Sequence, residues 1–131
     1  MDPLHHDKVL AITSHIPHLI AFNIVGTANN LANVTEKEVV KYSAGGFRDF
    51  TRIAASDPKM WSDIFTYNSE AVLEMLELFS NDLSKLKDAV SKKDSTLLFS
   101  NFEKTRAVRK NIIDAGQEES DIDFGRKKFE D

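Results

Sequence analysis

PLHHDKVLAITSHIPHLIAFNIV, residues 3–25, is the stretch that decides the fold. Its apolar residues Leu4, Val9, Leu10, Ile12, Ile16, Leu19, Ile20, Phe22, Ile24 and Val25 recur at helical spacing and form a broad stripe. Asp2 and Pro3 make an N-cap and first-turn pair, because an aspartate oxygen accepts from a free N–H and proline needs none there. Pro17 lies inside the pattern. It has no N–H to give the Thr13 carbonyl, so a kink is predicted. The stripe is too wide for a helix with one wet face, which predicts burial on more than one side. A partner covering about 1,600 Å² or more would supply that burial.

Working outward, Asn29-Asn30 to Asn33 ends this helix, and Thr35 with Glu38 reads as a capping box opening a short second one. Gly45-Gly46 breaks the chain before Phe47, Phe50 and Ala54 resume helical spacing. Ser56-Asp57-Pro58 opens another helix. Val72, Met75, Leu76, Phe79, Leu83, Leu86 and Val90 then recur at three and four, with Lys92-Lys93 suited by charge to a helix end. Asp94 or Ser95 starts a last helix carrying Leu98, Phe102, Val108 and Ile112, and Gly116 can stop it. No period-2 strand and no repeat interrupts this pattern. The fold class is all-α: a helical domain over residues 1–116 with a long kinked first helix, then a charged tail over 117–131 expected to be partly disordered.

Composition narrows the function. A chain of 131 residues is one domain or a piece of a larger protein. The absence of cysteine excludes disulfides and thiolate metal sites and fits a reducing cytoplasm. A net charge of −4 without a long basic run argues against a nucleic-acid surface. No uninterrupted apolar run approaches the ~20 residues of a membrane span, and the N-terminus is no signal peptide, so no membrane partner is expected.

Two short runs carry the chemistry. In Thr13-Ser14-His15-Ile16-Pro17-His18, helical geometry puts Ser14, His15 and His18 within an arc of roughly 100°. The alternative reading is that both histidines are satisfied core or interface groups. A metal reading is disfavoured, because helical histidine pairs for zinc are usually four apart and no third ligand is well placed. In Gly45-Gly46-Phe47-Arg48-Asp49-Phe50-Thr51-Arg52, the glycines allow a close backbone approach or simply make a turn. Arg48 and Arg52 lie one turn apart, and arginine forks carboxylates with paired hydrogen bonds. Asp49 can orient a guanidinium or an imidazole, or merely form a surface ion pair with Arg52. Trp61, taken alone, reads as core.

In this order, His6-Asp7, the Thr13–His18 run, the run from Gly45 to Ala54 with Thr51 inside it, Asp57-Pro58, Trp61 and Asn68 resemble the C-terminal domain of prephenate dehydrogenases, a family that includes cyclohexadienyl and arogenate dehydrogenases. The resemblance covers the chain from Met1 to about Ile113. It implies an all-α domain that dimerises through intertwined helices, with a substrate site facing a preceding nucleotide-binding domain. The implied activity is an oxidoreductase of tyrosine biosynthesis that converts prephenate to 4-hydroxyphenylpyruvate with NAD or NADP. By the same resemblance Arg52 binds a substrate carboxylate, Ser14 and His18 contact substrate, and His15 and Gly45 shape the pocket. Asp49, supported by Arg48 and Thr51, orients His18 or Arg52, and Trp61 reaches the partner subunit's site. No catalytic residue and no metal ligand is expected on this chain.

The nucleotide fingerprint G-x-G-x-x-G is missing, since the only glycines are Gly26, Gly45, Gly46, Gly116 and Gly125. The nucleotide-binding domain is therefore expected to precede these residues, and the chain alone is expected to bind no cofactor and to lack dehydrogenase activity. The competing reading is a helical interaction or assembly module without a small-molecule site. The two differ in whether Ser14, His18 and Arg52 converge or scatter.

Overall fold

The Asp2 carboxylate accepts from the His5 N–H at 3.3 Å and opens α1, Pro3–Leu10, with Pro3 in the first turn as the sequence predicts. The structure, a computed structural model, describes residues 2–30, 38, 41 and 45–120. The break predicted at Pro17 takes the form of a π-helical stretch, Ala11–His15, in which the Ile16 N–H reaches back five residues to the Ala11 carbonyl. Widening the helix by one residue per turn lets the chain pass a proline without losing its direction. Pro17 then sits in the first turn of α2, Ile16–Asn29, where its missing N–H costs nothing. Asn30 caps α2, its N–H bonding the Gly26 carbonyl at 3.0 Å.

The remaining described elements are α3 (Gly45–Thr51), a 3-10 turn (Arg52–Ala55), α4 (Pro58–Tyr67), α5 (Ser69–Ser91) and α6 (Ser95–Ser120). Among the described residues there is no strand. Asp57 caps α4 by accepting from the Lys59 N–H at 3.0 Å, as predicted from Ser56-Asp57-Pro58. Thr35 of the Thr35–Glu38 capping box falls outside the described residues.

Two local predictions need correction. Gly45-Gly46 does not break the chain where it stands but forms the first turn of α3, and a Cβ at either glycine would meet nothing within 4 Å. Gly116 does not stop the last helix. Its backbone stays out of the left-handed region that a glycine stop requires, and α6 runs on to Ser120.

The chain divides into two compact units, Met1–Asn81 and Asp82–Asp131. In the first, Ala11, Ile16, Ala71 and Val72 form a buried centre, with Ile20, Phe65, Met75 and Leu76 packed around it. Ala11 and Ala71 are small enough to let the π-helical stretch and α5 approach closely. α3 and the 3-10 turn pack along α2. In the second unit Ala89 is buried and the link between α5 and α6 is tight. Lys93 takes a left-handed conformation (φ 54°), so that the Asp94 N–H bonds the Ala89 carbonyl at 2.8 Å. Asp94 then caps α6 by accepting from the Leu97 N–H at 3.0 Å.

The continuous helical stretch Pro3–Asn29 is 27 residues long and, at a mean hydropathy of 1.5, long and apolar enough to cross a membrane. That departs from the sequence reading, in which no apolar run approaches the ~20 residues of a membrane span. Much of its apolar surface is open, with Leu4 60% and Ile12 45% exposed.

Ile16 is the largest fully buried side chain. Ile16→Ala removes its contacts with the α5 side of the core and is expected to cost about 2–5 kcal/mol. Urea denaturation at fixed protein concentration measures this, and a loss below about 1 kcal/mol would contradict the packing described.

Candidate functional site

Ser14 and His15 end the π-helical stretch and His18 lies in the first turn of α2, so the first polar run spans the point where the helix changes register. The two imidazoles are fixed in opposite ways. His18 Nδ1 lies 2.8 Å from the Ser14 carbonyl oxygen. A carbonyl only accepts, so His18 Nδ1 carries a proton and donates, and in the neutral ring Nε2 is the acceptor. The His18 ring stacks on Trp61 with centroids 3.7 Å apart and planes 19° from parallel. This holds the ring from its face as well as from its edge.

His15 is 9% exposed and makes edge contacts with Trp61 at 6.0 Å and Phe65 at 6.3 Å. Its Nδ1 lies 3.1 Å from Asn68 Nδ2, and the same amide nitrogen lies 3.2 Å from the Asp7 carbonyl oxygen. The Asp7 carbonyl can only accept, so the amide must present its NH₂ to both groups. His15 Nδ1 is therefore unprotonated, and Nε2 carries the proton. Burial holds the His15 imidazole below its ordinary value of 6.5. The neighbouring His18 adds to this effect and Asp7 opposes it.

Of the residues singled out in sequence, the structure brings Ser14, His15, His18 and Trp61 into one cluster, with Trp61 buried against His18 of its own chain. Arg52 begins the 3-10 turn that packs along α2 and is exposed, as are Arg48 and Asp49 on α3. Among the described residues, Asp49 and Arg52 form no ion pair, so neither arginine is tied to a carboxylate. Thr51 spends its hydroxyl on the Phe47 carbonyl at 2.7 Å, a contact within its own helix. Gly45 lies exposed at the start of α3. No cluster of metal-ligating side chains occurs among the described residues.

Sequence reasoning did not assign roles to Asn68 or Phe65. Asn68 ends α4, its N–H bonding the Ile64 carbonyl at 2.9 Å while its own carbonyl accepts from Val72 at 3.0 Å. Read along the chain it is a junction residue, and only the fold shows its side chain reaching 53 positions back to His15. An open cleft of about 430 Å³ lies beside it, lined by Asp7, Leu10, His15, Asp63, Tyr67 and Asn68 among others.

Because His15 resists protonation in the fold, the unfolded chain binds its proton first as pH falls through 6.5. Stability is unaffected by His15 above that value and decreases below it. Urea midpoints of the wild type and His15→Gln, compared from about pH 8 to about pH 5, should show the larger acid loss in the wild type. Equal losses would contradict this.

Comparison with known proteins identifies the family of the fold. A family described as prephenate dehydrogenase, dimerization domain, matches residues 2–104. A cyclohexadienyl dehydrogenase of Zymomonas mobilis is 41% identical over 109 residues, covering 83% of this chain and 37% of its own. A prephenate dehydrogenase of Bacillus subtilis is 34% identical over 112 residues, covering 86% of this chain and 30% of its own. The crystal structure of prephenate dehydrogenase from A. aeolicus, in complex with hydroxyphenyl propionate and NAD+, superposes with a TM-score of 0.78 at 39% identity. That match covers 86% of this chain and 39% of the other. The chain thus spans about a third of the length of the curated relatives it matches. By both sequence and fold, it belongs to the family of prephenate dehydrogenase dimerization domains.

Proposed function

We propose that this chain is the substrate-binding and dimerising part of a dehydrogenase that oxidatively decarboxylates prephenate, or its close analogue arogenate. The observation that carries the reading is the way His18 is held. Its Nδ1 is committed to the Ser14 carbonyl and its face to Trp61, which leaves Nε2 without a partner among the described residues. It lies on the same helix against which the Arg52 turn packs. An imidazole edge, a serine and an uncommitted guanidinium along one helix suit a small dianion such as prephenate. Arg52 forks one carboxylate, Ser14 donates its hydroxyl to a substrate oxygen, His18 Nε2 accepts from the substrate's hydroxyl, and Trp61 stops the imidazole from turning away.

With prephenate, the ring carboxylate leaves as CO₂ while a hydride departs, giving 4-hydroxyphenylpyruvate. NAD or NADP supplies the hydride acceptor. The residues here do not fit that cofactor, because the sequence has no glycine fingerprint and the described residues contain no strand to carry one. A companion nucleotide-binding domain of the same protein holds it. This chain binds and orients substrate and performs no bond-breaking step.

In the full-length enzyme, Arg52→Ala is expected to raise KM for prephenate by about tenfold to a hundredfold, the value of a hydrogen-bonded charge pair. Arg52→Lys should recover only part of this, since an ammonium cannot fork a carboxylate. An unchanged KM in Arg52→Ala would remove Arg52 from the site.

The family and the open apolar surface both support a homodimer. Leu4, Leu73 and Phe99 are each 60% exposed or more, and a second copy would cover such surface. The competing occupant is a lipid bilayer, since Pro3–Asn29 is long enough to span one. Analytical ultracentrifugation at micromolar concentration should give twice the mass of the chain without detergent. A monomer that floats with lipid vesicles would contradict this.

A further inference from the structure

We propose that Asn68 is a positioning residue: its side-chain amide sets the proton of His15 on Nε2, so that His15 and His18 present opposite hydrogen-bonding edges, one donor and one acceptor, to a bound anion and its hydroxyl. The inference rests on the reading of the Ser14–His18 wall as a substrate wall.

The geometry leaves the amide one arrangement. Asn68 Nδ2 lies within 3.2 Å of the Asp7 carbonyl and 3.1 Å of His15 Nδ1. Turning the amide over would place its oxygen against the carbonyl oxygen, two acceptors in contact. The Asp7 carbonyl is itself fixed, because it also accepts from the Ala11 N–H where α1 gives way to the π-helical stretch. The backbone thus fixes the amide, and the amide fixes the imidazole tautomer.

His15 Nε2 has no hydrogen-bond partner among the described residues, and no side-chain nitrogen or oxygen there is both sealed from solvent and unpaired. The Nε2–H is therefore reachable. On His18 the Ser14 carbonyl imposes the reverse assignment. Two imidazoles three residues apart would otherwise choose their tautomers independently. Here one offers N–H and the other a lone pair, which matches a ligand that carries both carboxylate and hydroxyl groups. The charged or titratable groups facing His15 are Asp7 from α1, His18 from α2, and Asp63 and Tyr67 from α4 across the cleft.

Two variants test the assignment. Asn68→Leu keeps the branched shape and removes the donor. Asn68→Asp replaces the donor with an acceptor, which must recruit a proton to His15 Nδ1. Long-range proton–nitrogen NMR of the histidine-labelled chain reads the tautomer directly. Wild type should show His15 protonated at Nε2, Asn68→Leu a mixture, and Asn68→Asp the Nδ1–H form with a raised apparent pKa. Circular dichroism confirms that the variants remain folded, and the wild-type spectrum alone already decides the assignment. An Nδ1–H form in wild type, or an unchanged tautomer in both folded variants, would overturn the proposal.

In the full-length enzyme, Asn68→Leu should lower kcat/KM for prephenate by about tenfold, with Asn68→Asp also displacing the pH profile. A tautomer that shifts as described while kcat/KM and the profile stay fixed would also overturn the positioning role. If the wild-type enzyme does not turn over prephenate at all, the functional reading fails, whereas the NMR assignment stands or falls separately.

Discussion

A single amide ties the first unit together where helix geometry alone would leave it loose. Pro17 forces the long first helix out of α register, and the π-helical stretch that results has wide turns and carbonyls with displaced partners. Asn68, at the junction of α4 and α5, reaches the last turn of α1 and the end of the π-helical stretch at once. It also stands three residues after Phe65 and seven after Trp61, whose rings pack His15 and His18. Apolar packing of Ile16 with Ala11, Ala71 and Val72 forms the buried centre there, and the amide adds a polar bridge to it.

The consequence is a rigid polar wall on an apolar helix. Buried polar groups are costly unless each is paired, and here each pairing also sets an orientation. Ser14 contributes its carbonyl to His18, Asp7 its carbonyl to Asn68, and the rings of Trp61 and Phe65 pack against the imidazoles. The outward edges of the two imidazoles are then predetermined before any ligand arrives, which lowers the ordering cost of binding. The arginines are the opposite case. They lie exposed on a short helix and turn beside α2, uncommitted among the described residues.

Much of this was legible in the residues. The caps at Asp2 and Asp57, the end of α2 at Asn29-Asn30, and the periodicity from Val72 to Val90 each follow from local rules and appear in the structure. Pro17 announced a disturbance without saying that it would be met by a π-helical stretch. Glycine was the least informative signal, because both Gly45-Gly46 and Gly116 could leave the helix and neither does. The Ser14–His15–His18 arc was visible from helical spacing alone. Asn68 was not, because its role depends on contacts 53 and 61 residues away that no local pattern encodes. The left-handed Lys93 was equally hidden, since lysine rarely takes a conformation usually left to glycine.

On the proposed reading, this chain holds a dianion still while chemistry happens against a neighbouring domain, and the His18 edge faces that dianion. The most direct measurement is nitrogen NMR of the histidine-labelled full-length enzyme, titrated with prephenate in the absence of cofactor. His18 Nε2 is expected to shift saturably as it gains a hydrogen bond, while the exposed His5 and His6 do not move. A saturable binding event that leaves His18 Nε2 unchanged would contradict it.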